Sequence, residues 1–296
     1  MPSVHAGAPA KLNLTLQVTG KRDDGYHLLH SLVAFAAVGD RISARPGDGL
    51  TLTLTGPGAA ALNAEDDNLV TRAALRLAER LGRAPDVALT LHKVLPVASG
   101  IGGGSADAAA TLRVLRDLWS VDLSEPDWAE LALELGADVP VCLSGQPMVM
   151  SGIGEILSPA PPLPRVWVVL VNPGLALSTP AVFKARAAPF STPSSLPEIF
   201  HDGAELADHL QVCGNDLETP AMTLAPVIGE ILECLSRNAC CLMARMSGSG
   251  ATCFGLYGTA DEAQAAALAA RVHRPDWWVA AARLLEPGET FDGDLT

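Results

Sequence analysis

The chain has 296 residues, 49% of them hydrophobic and 18% charged, which is typical of a folded globular protein and excludes extensive disorder. Its formal net charge of -13 argues against nucleic acid as the main partner, because binding a phosphate backbone requires clustered Lys and Arg. Because no apolar run approaches the ~18 residues that span a bilayer and the first residues lack an export signal, we expect a cytoplasmic protein with no membrane partner. The six cysteines show no paired spacing, so we expect their thiols to be reduced.

Strands and helices are mixed in the first part of the chain. Alternating or continuous apolar residues predict strands at 11–19, 31–38, 50–54, 87–91 and 147–150. Apolar residues at helical spacing predict helices at 68–81, 104–119 and 126–135. The first of these helices should end at Gly82 and the last at Gly136, since glycine readily takes the left-handed conformation that closes a helix.

The proline-rich stretch 158–164 predicts a rigid turn or linker, because proline interrupts both helices and sheet ladders. We therefore expect two units, 1–160 and 161–296. In the second unit the patterns predict strands at 165–171, 241–246 and 252–257, and helices at 204–212, 225–237 and 261–272. Residues 187–204 are rich in Pro and Ser and are predicted to form an exposed loop. This mixture indicates an α+β fold in two lobes.

Four glycines within five residues, at 100, 102, 103 and 104, follow the predicted strand 87–91 and open an alanine-rich helix. Glycine lets backbone N–H groups face a ligand, and the helix N-terminus adds free donors and a positive dipole end. The segment is not a Walker A loop, because no Gly-Lys-Ser/Thr follows, and it does not satisfy G-x-G-x-x-G. The residues alone predict a phosphate-binding loop of unspecified type, with Ser105 as a further donor; a flexible loop with a helix cap is the alternative.

Three polar residues elsewhere are candidates for chemistry, and each has an ordinary structural alternative. Asp138 lies at a turn and could accept a proton from a substrate hydroxyl, although aspartate is common in turns. Lys11 begins the first predicted strand, where an exposed edge position is the default. Asn13 lies two residues further on and therefore points to the same face of the strand.

Two turns complete the set of candidates. Tyr26 and His27 could stack on a base and hydrogen-bond to it, although a core tyrosine and a turn histidine are equally compatible with the pattern. The glycine-rich turn 247–250 is either an ordinary hairpin or a backbone platform beside the first loop. The histidines show no metal-ligand spacing, so no dedicated metal site is expected.

Three segments, 8–14, 96–106 and 247–251, match in order the three motifs of the GHMP kinase superfamily, and the chain resembles that superfamily over nearly its whole length. Within the superfamily, the chain resembles the branch that phosphorylates the 2-hydroxyl of a cytidine-diphosphate-linked methylerythritol in non-mevalonate isoprenoid biosynthesis. The segments that match this branch are 22–27, 67–69, 135–141, 152–157 and 178–180. The resemblance implies a two-lobed α+β fold, with an N-terminal lobe similar to a ribosomal-protein fold and a ferredoxin-like C-terminal lobe. The loop departs from the pattern only in carrying Ser105-Ala106 where the superfamily often has two serines.

The resemblance also implies the roles of individual residues, with ATP as co-substrate and Mg²⁺ carried with it. Asp138 resembles the general base and Lys11 the cation that stabilises its charge and positions the hydroxyl. The implied ATP-binding residues are Asn68, Leu69, Lys93, Pro96, Val97, Ala98, Ser99, Gly100, Ile101, Gly102, Gly103, Gly104, Ser105 and Ala106. The implied substrate-binding residues are Asn13, Tyr26, His27, Thr179, Phe183, Gly248, Ser249 and Gly250, with Tyr26 and Phe183 stacking on both faces of a cytosine and His27 reading its edge.

Two alternatives stay open at this point. Another GHMP kinase, such as a homoserine or mevalonate kinase, has no use for a cytosine site, so the Tyr26-His27 segment argues against it. An RNA-binding module is suggested by the ribosomal-protein-like lobe, and the net charge of -13 argues against that. A small-molecule substrate and a monomer or weak homodimer are the expected partners.

Overall fold

Two β-sheets with helices packed on them organise the chain, as a computed structural model shows for residues 3–62 and 68–293. Asp67, part of the motif match at 67–69, lies outside these described residues. The strands are β1 (Val4–Asn13), β2 (Gln17–Lys21), β3 (His27–Pro46), β4 (Leu50–Thr55), β5 (Val87–His92), β6 (Met148–Gly152), β7 (Ile156–Pro159), β8 (Trp167–Asn172), β9 (Met243–Met246), β10 (Cys253–Tyr257) and β11 (Trp278–Arg283). The helices are α1 (Leu69–Arg80), α2 (Gly103–Trp119), α3 (Glu125–Leu135), α4 (Val139–Ser144), α5 (Thr179–Ala185), α6 (Gly203–Cys213), α7 (Glu218–Leu224), α8 (Val227–Ser236) and α9 (Ala260–His273).

The first sheet is built around the long strand β3. Strands β1, β2, β5 and β6 all pair with it antiparallel, β4 extends the sheet beyond β5 in parallel, and β7 extends it beyond β6. Helix α2 packs across this sheet because one of its faces carries small apolar side chains, among them Ala106 and Ala109, which share a buried cluster with Val33 and Phe35 of β3. This packing holds the N-terminus of α2 beside the end of β1.

The second sheet has the strand order β11-β8-β10-β9. Helices α5 to α8 lie between β8 and β9, and α9 lies between β10 and β11, so the chain runs β-α-β-β-α-β. That order and connectivity define a ferredoxin-like arrangement, as the resemblance to the GHMP kinase superfamily implied. A third apolar cluster contains residues of both sheets, including Leu12 and Leu32 from the first and Val168 and Leu256 from the second. The two sheets therefore share a buried core, and a cleft lies where their loops meet.

Most predicted elements are confirmed, including the helices at 68–81 and 104–119 and the strands at 50–54 and 87–91. The single strand predicted at 11–19 is wrong, because the chain turns between β1 and β2. There the Thr15 hydroxyl accepts a hydrogen bond from the Leu32 amide and the Thr15 carbonyl accepts one from Ser31, so Thr15 leaves the ladder.

Several elements were not predicted. The strands β7 and β11 and the short helices α4, α5 and α7 were all missed, and β3 is far longer than the predicted 31–38. Part of the predicted linker at 158–164 belongs to β7, which ends at Pro159. No helix in the described part of the chain is long and apolar enough to cross a membrane.

Candidate active site

A cleft of about 790 Å³ contains most of the residues proposed from the sequence. Those that line it are Lys11, Asn13, Asn68, Leu69, Lys93, Pro96, Val97, Ala98, Ser99, Gly100, Gly102, Gly103, Gly104, Ser105, Asp138, Thr179, Phe183, Gly248, Ser249 and Gly250. Four others do not line it: Ile101 and Ala106 are buried in the core beneath the loop, and Tyr26 and His27 lie outside the cleft lining. The structure thus brings together residues that are more than 200 positions apart in the sequence.

The glycine-rich loop adopts a backbone that side chains would oppose. Gly100 has φ +76° and Gly102 has φ +63°, and Gly102 is the residue immediately before α2. The first-turn N–H groups of α2 have no partner within the helix and open toward the cleft, which is the geometry that binds phosphate groups. Ser105, half-buried in that first turn, adds a hydroxyl to the same edge.

The loop is fixed in place by the second glycine-rich turn. Ser247 donates its hydroxyl to the Gly100 carbonyl at 3.1 Å, and the Thr252 amide donates to the Ser99 carbonyl at 3.1 Å. The fit is close, since a Cβ at Gly100 would lie 2.5 Å from the Gly250 carbonyl oxygen. The turn 247–250 therefore supports the first glycine-rich loop as well as connecting β9 to β10.

Lys11 and Asp138 form an ion pair at the edge of the cleft. Lys11 Nζ donates to Asp138 Oδ2 at 2.8 Å; the Lys11 side chain is 4% exposed, whereas that of Asp138 is 38% exposed. The default of an exposed strand-edge lysine is wrong here. Asp138 precedes α4 but does not cap it, so its carboxylate is available to Lys11 and to the cleft. Lys11 also lies against the loop, because a Cβ at Gly102 would be 3.1 Å from Lys11 Cβ.

Asn13 is held beside this pair by a short network of hydrogen bonds. Its side-chain amide donates to Ser31 Oγ at 2.8 Å, and its backbone amide donates to Ser247 Oγ at 3.1 Å. Its side-chain oxygen is buried without a hydrogen-bond partner among the described residues and lies near Gly248. A buried, unpaired acceptor at the edge of a cleft is suited to a hydroxyl donor of a ligand.

Of the three residues proposed to hold a cytosine, only His27 and Phe183 stack on each other. The ring of Phe183 stacks directly on that of His27, with centroids 4.7 Å apart and an interplanar angle of 19°, so no gap for a base exists between them. Tyr26 does not stack on Phe183, and its side chain is 61% exposed. This exposure excludes the alternative that Tyr26 is a core residue. Burial lowers the pKa of His27, with Lys21 and Arg186 adding to the effect, so its ring is neutral near pH 7 and can both donate and accept.

The opposite end of the cleft contains Asn68, Leu69 and Lys93. Asn68 caps α1 by accepting a hydrogen bond from the Val70 amide at 2.9 Å, and Leu69 lies against Gly104 of the loop. The ammonium of Lys93 is not free, because it is bound by two carboxylates that the sequence analysis missed, those of Asp40 and Asp107. A charged residue within the alanine-rich stretch 106–110 was the available signal for Asp107.

A pair of hydroxyls lies beside the second glycine-rich turn. Thr179, the first residue of α5, shares a hydrogen bond of 2.8 Å with Ser249 of the second glycine-rich turn. This contact connects α5, and with it Phe183, to the turn that supports the phosphate loop. The position proposed for Thr179 near the acceptor is therefore compatible with the cleft.

Comparison with known proteins identifies the class to which this fold and cleft belong. Residues 68–146 match the model of the GHMP kinases N terminal domain, and residues 195–275 match that of the GHMP kinases C terminal domain. The two matches together cover more than half of the chain, which belongs to the GHMP kinase family and is an ATP-dependent kinase. The α+β fold with two sheets agrees with this assignment.

Comparison with individual proteins points to one branch of that family. The chain is 53% identical over 283 residues to a 4-diphosphocytidyl-2-C-methyl-D-erythritol kinase of Rhodospirillum rubrum, covering 96% of this chain and 93% of the relative. A crystal structure of 4-(cytidine 5'-diphospho)-2C-methyl-D-erythritol kinase matches with a TM-score of 0.78 and 35% identity, covering 97% and 100% of the two chains. A homoserine kinase from Cytophaga hutchinsonii matches with a TM-score of 0.71 at 17% identity, covering 98% and 96%, and shows a common fold only.

Proposed function

We propose that this chain transfers the γ-phosphoryl group of ATP to the 2-hydroxyl of 4-diphosphocytidyl-2-C-methyl-D-erythritol, giving the 2-phosphate and ADP, in non-mevalonate isoprenoid precursor biosynthesis. The observation that carries the proposal is the Lys11–Asp138 ion pair beside the phosphate loop. A carboxylate next to a phosphate site is the arrangement needed to accept a proton from a hydroxyl that attacks phosphorus. The identity of 53% to a kinase of that name supports the choice of acceptor.

In the proposed mechanism the chain contributes mainly position and charge. Asp138 accepts the proton of the acceptor hydroxyl as its oxygen bonds to the γ-phosphorus, and the bond from that phosphorus to the β-phosphate oxygen breaks to release ADP. Lys11 holds the Asp138 carboxylate and adds positive charge where the transferred group passes. The first turn of α2 binds the phosphates by its free N–H groups, so that donor and acceptor are aligned.

Mg²⁺ enters this proposal as part of the ATP substrate. In the parts of the chain described here, no group of three or more His, Cys, Asp or Glu side chains is placed to hold a metal ion. Ser105 is a cleft residue whose hydroxyl oxygen is a ligand of the kind that Mg²⁺ accepts, and it would hold the ion beside the phosphates. We propose that the ion neutralises charge on the phosphates and that Ser105 contacts it.

For the acceptor, we propose that the cytosine lies against Phe183 with His27 at its edge. The neutral His27 ring offers one donor and one acceptor nitrogen, which suits the Watson–Crick edge of cytosine. Since His27 now covers one face of Phe183, either the base stacks on the other face or His27 moves aside when it binds. Tyr26 is exposed enough to close over the base from the loop between β2 and β3.

A coupled assay of ADP release tests the choice of acceptor against the alternatives. We expect turnover with 4-diphosphocytidyl-2-C-methyl-D-erythritol and ADP release at the background ATPase rate with homoserine or mevalonate at equal concentration. The same polyol without its cytidine should be a poor substrate, because remote binding energy that positions the hydroxyl is lost. Turnover of homoserine or mevalonate and none of the cytidine compound would refute the proposed acceptor while leaving the kinase class intact.

The aromatic contact to the base gives a second expected result. We expect Phe183→Ala to raise KM for the cytidine substrate by about 5- to 160-fold, since base stacking contributes roughly 1–3 kcal/mol, and to leave KM for ATP within about twofold. The matched control is Phe190→Ala, whose ring is 53% exposed and does not line the cleft. An acceptor KM that is the same in both variants would place the base elsewhere.

We propose that the units 1–160 and 161–296 are the two lobes, with the boundary in the proline-rich segment; the strand β7 reaching Pro159 and the separate sheet that begins with β8 support it. We propose a cytoplasmic enzyme, supported by six cysteines that all have free thiols. We also propose that it acts on small molecules rather than nucleic acid, as a monomer or weak homodimer.

A further inference from the structure

A group of polar contacts behind the cleft joins the end of α5 to β2, and we call it the α5–β2 junction. Its centre is the carboxylate of Asp216, whose Oδ2 accepts hydrogen bonds from the Val18 amide and the Ser191 hydroxyl, both at 2.7 Å. The same oxygen lies 3.5 Å from Nη2 of Arg186, the residue that follows α5. The Arg186 side chain is 5% exposed and that of Asp216 is 19% exposed, and neither residue lines the cleft.

The junction also orders the first part of the segment 187–204, for which the sequence predicted an exposed loop. The Ser191 amide donates to the Val18 carbonyl at 2.9 Å. Three residues further on, Ser194 exchanges two hydrogen bonds with the buried side chain of Gln17, at 2.8 and 2.9 Å. Most of the segment is exposed, as predicted, but its beginning is attached to β2.

The guanidinium of Arg186 is held inside this arrangement. It donates to the Ala188 carbonyl at 2.8 Å and to the Pro189 carbonyl, so it also shapes the start of the loop. Among the described residues, Asp216 is the only carboxylate at ion-pair distance from it. A largely buried charge that loses its partner is costly, so the two charges are expected to act as one unit.

The two elements that the junction connects carry the rings proposed to contact the cytosine. Phe183 lies one turn before Arg186, whose amide donates to the Phe183 carbonyl at 3.3 Å. His27 begins β3 and pairs with Lys21 at the end of β2. The stack of Phe183 on His27 and the α5–β2 junction are therefore two separate contacts between α5 and the hairpin of β2 and β3.

These two contacts have different consequences when a base binds. The base either takes the free face of Phe183 or displaces His27, so the ring stack alone cannot fix α5 against the hairpin. The junction contains no ring and lies outside the cleft lining. We propose that Asp216 and Arg186 are positioning residues for the acceptor: their ion pair fixes α5 against β2, so that Phe183 and His27 keep the separation that a cytosine requires. This role rests on the proposed function, because it presumes a cytidine-bearing acceptor.

The test uses Arg186→Met, Asp216→Asn and the double variant. We expect each single variant to raise KM for the cytidine substrate about tenfold, because α5 must then be ordered when the base binds. The kcat and KM for ATP should stay within about threefold, since the contacts of Lys11, Asp138 and the glycine-rich loop are intact. The double variant should be no worse than the more impaired single variant, because residues that act as a unit are not additive. An unchanged or lowered acceptor KM, or effects that multiply in the double variant, would overturn the proposal.

The matched control is Arg283→Met. Arg283 forms a partly buried ion pair with Glu289, which also accepts a backbone amide, that of Glu286, and neither member of the pair lines the cleft. This variant should lose stability with an acceptor KM within about twofold of the native value. An acceptor KM raised equally in the control would mean that loss of stability alone causes the effect, and would overturn the proposal.

A measurement without substrate separates this role from the choice of acceptor. Proton NMR at about pH 8, where imidazole rings are neutral, reports the stack, because the Phe183 ring shifts the His27 ring protons upfield, and His27→Gln identifies their signals. In Asp216→Asn, whose amide oxygen can still accept from the Val18 amide if Arg186→Met fails to fold, these signals should move toward those of an unstacked histidine. They should stay in place in Arg283→Met. Unmoved His27 signals in Asp216→Asn would overturn the proposal whatever the acceptor is, whereas a native protein inactive on the cytidine compound would refute the proposed function and leave the NMR comparison intact.

Discussion

Replacing Asp138 with Asn should lower kcat at least ~10²-fold, because the amide cannot accept the proton of the acceptor hydroxyl, and general-base catalysis typically contributes 10²–10⁴-fold. The substitution keeps the shape of the side chain and an oxygen that can still accept the hydrogen bond of Lys11, which now spans 2.8 Å. KM for ATP should change by less than about threefold, because the residues proposed to hold the phosphates are those of the loop and α2. Initial-rate kinetics with both substrates varied provide the measurement.

The matched control for this prediction is Asp117→Asn. Asp117 lies near the far end of α2, and its carboxylate is half-exposed in an ion pair with the neighbouring Arg116. Exposed pairs of this kind contribute little to stability, so kcat should stay within about twofold of the native value. If Asp138→Asn retained a similar rate, Asp138 would be a turn residue and not the base.

The second large effect is expected from Gly100→Ala. A Cβ at this position would lie 2.5 Å from the Gly250 carbonyl oxygen and 2.7 Å from that of Ser247, and the backbone φ of +76° is itself unfavourable for alanine. Either the phosphate loop or the turn 247–250 must move. We expect a loss of about 2–4 kcal/mol of unfolding free energy, since positive φ and overpacking each cost roughly 1–3 kcal/mol. We also expect kcat/KM for ATP to fall about 10²-fold, as a misplaced loop misaligns the phosphates.

Gly82→Ala is the control that separates backbone strain from steric contact. Gly82 also has a positive φ, +62°, but nothing lies within 4 Å of the Cβ that would be added. Its variant should lose only the cost of the left-handed conformation, roughly 1–2 kcal/mol by urea unfolding, with unchanged kinetics. Equal effects of the two variants on kcat/KM would mean that the contact between loop and turn does not matter for catalysis.

What the sequence could predict was what short segments encode. The glycine run before α2 predicted a phosphate loop because glycine spacing and a following helix are local properties. The structure has left-handed glycines at 100 and 102 and begins α2 at Gly103, and phosphate binding there stays a prediction. The partnership of Lys11 with Asp138 joins residues 127 positions apart, and only the resemblance to a known superfamily connected them.

The errors have physical reasons that single residues illustrate. Leu12, Leu14, Leu16 and Val18 are all buried, so the alternating pattern continues through the turn at Thr15 and gives no sign that the strand is interrupted. Helices α4 and α5 have only six and seven residues, too few for a periodic pattern, although each carries proline in its first turn, which is a usable signal.

The buried charges were missed for a different reason. Asp40 and Asp107 look like ordinary surface carboxylates in a sequence, because nothing local indicates that both turn inward to one lysine. The resemblance implied that Tyr26 and Phe183 stack on the two faces of a cytosine with His27 at its edge, whereas the structure stacks His27 on Phe183 and leaves Tyr26 exposed. A sequence motif identifies such residues, but it does not show how their side chains rearrange around a ligand.

The central claim is that this kinase places a phosphate on the 2-hydroxyl of a cytidine-linked methylerythritol. Phosphorus NMR of the product formed from 4-diphosphocytidyl-2-C-methyl-D-erythritol and ATP measures this most directly. We predict one new phosphomonoester signal without three-bond coupling to hydrogen, because carbon 2 is a tertiary carbinol centre that bears no hydrogen, together with an intact diphosphate linkage and one equivalent of ADP. A phosphomonoester on a primary or secondary hydroxyl, or ATP hydrolysis with the acceptor recovered unchanged, would contradict the account.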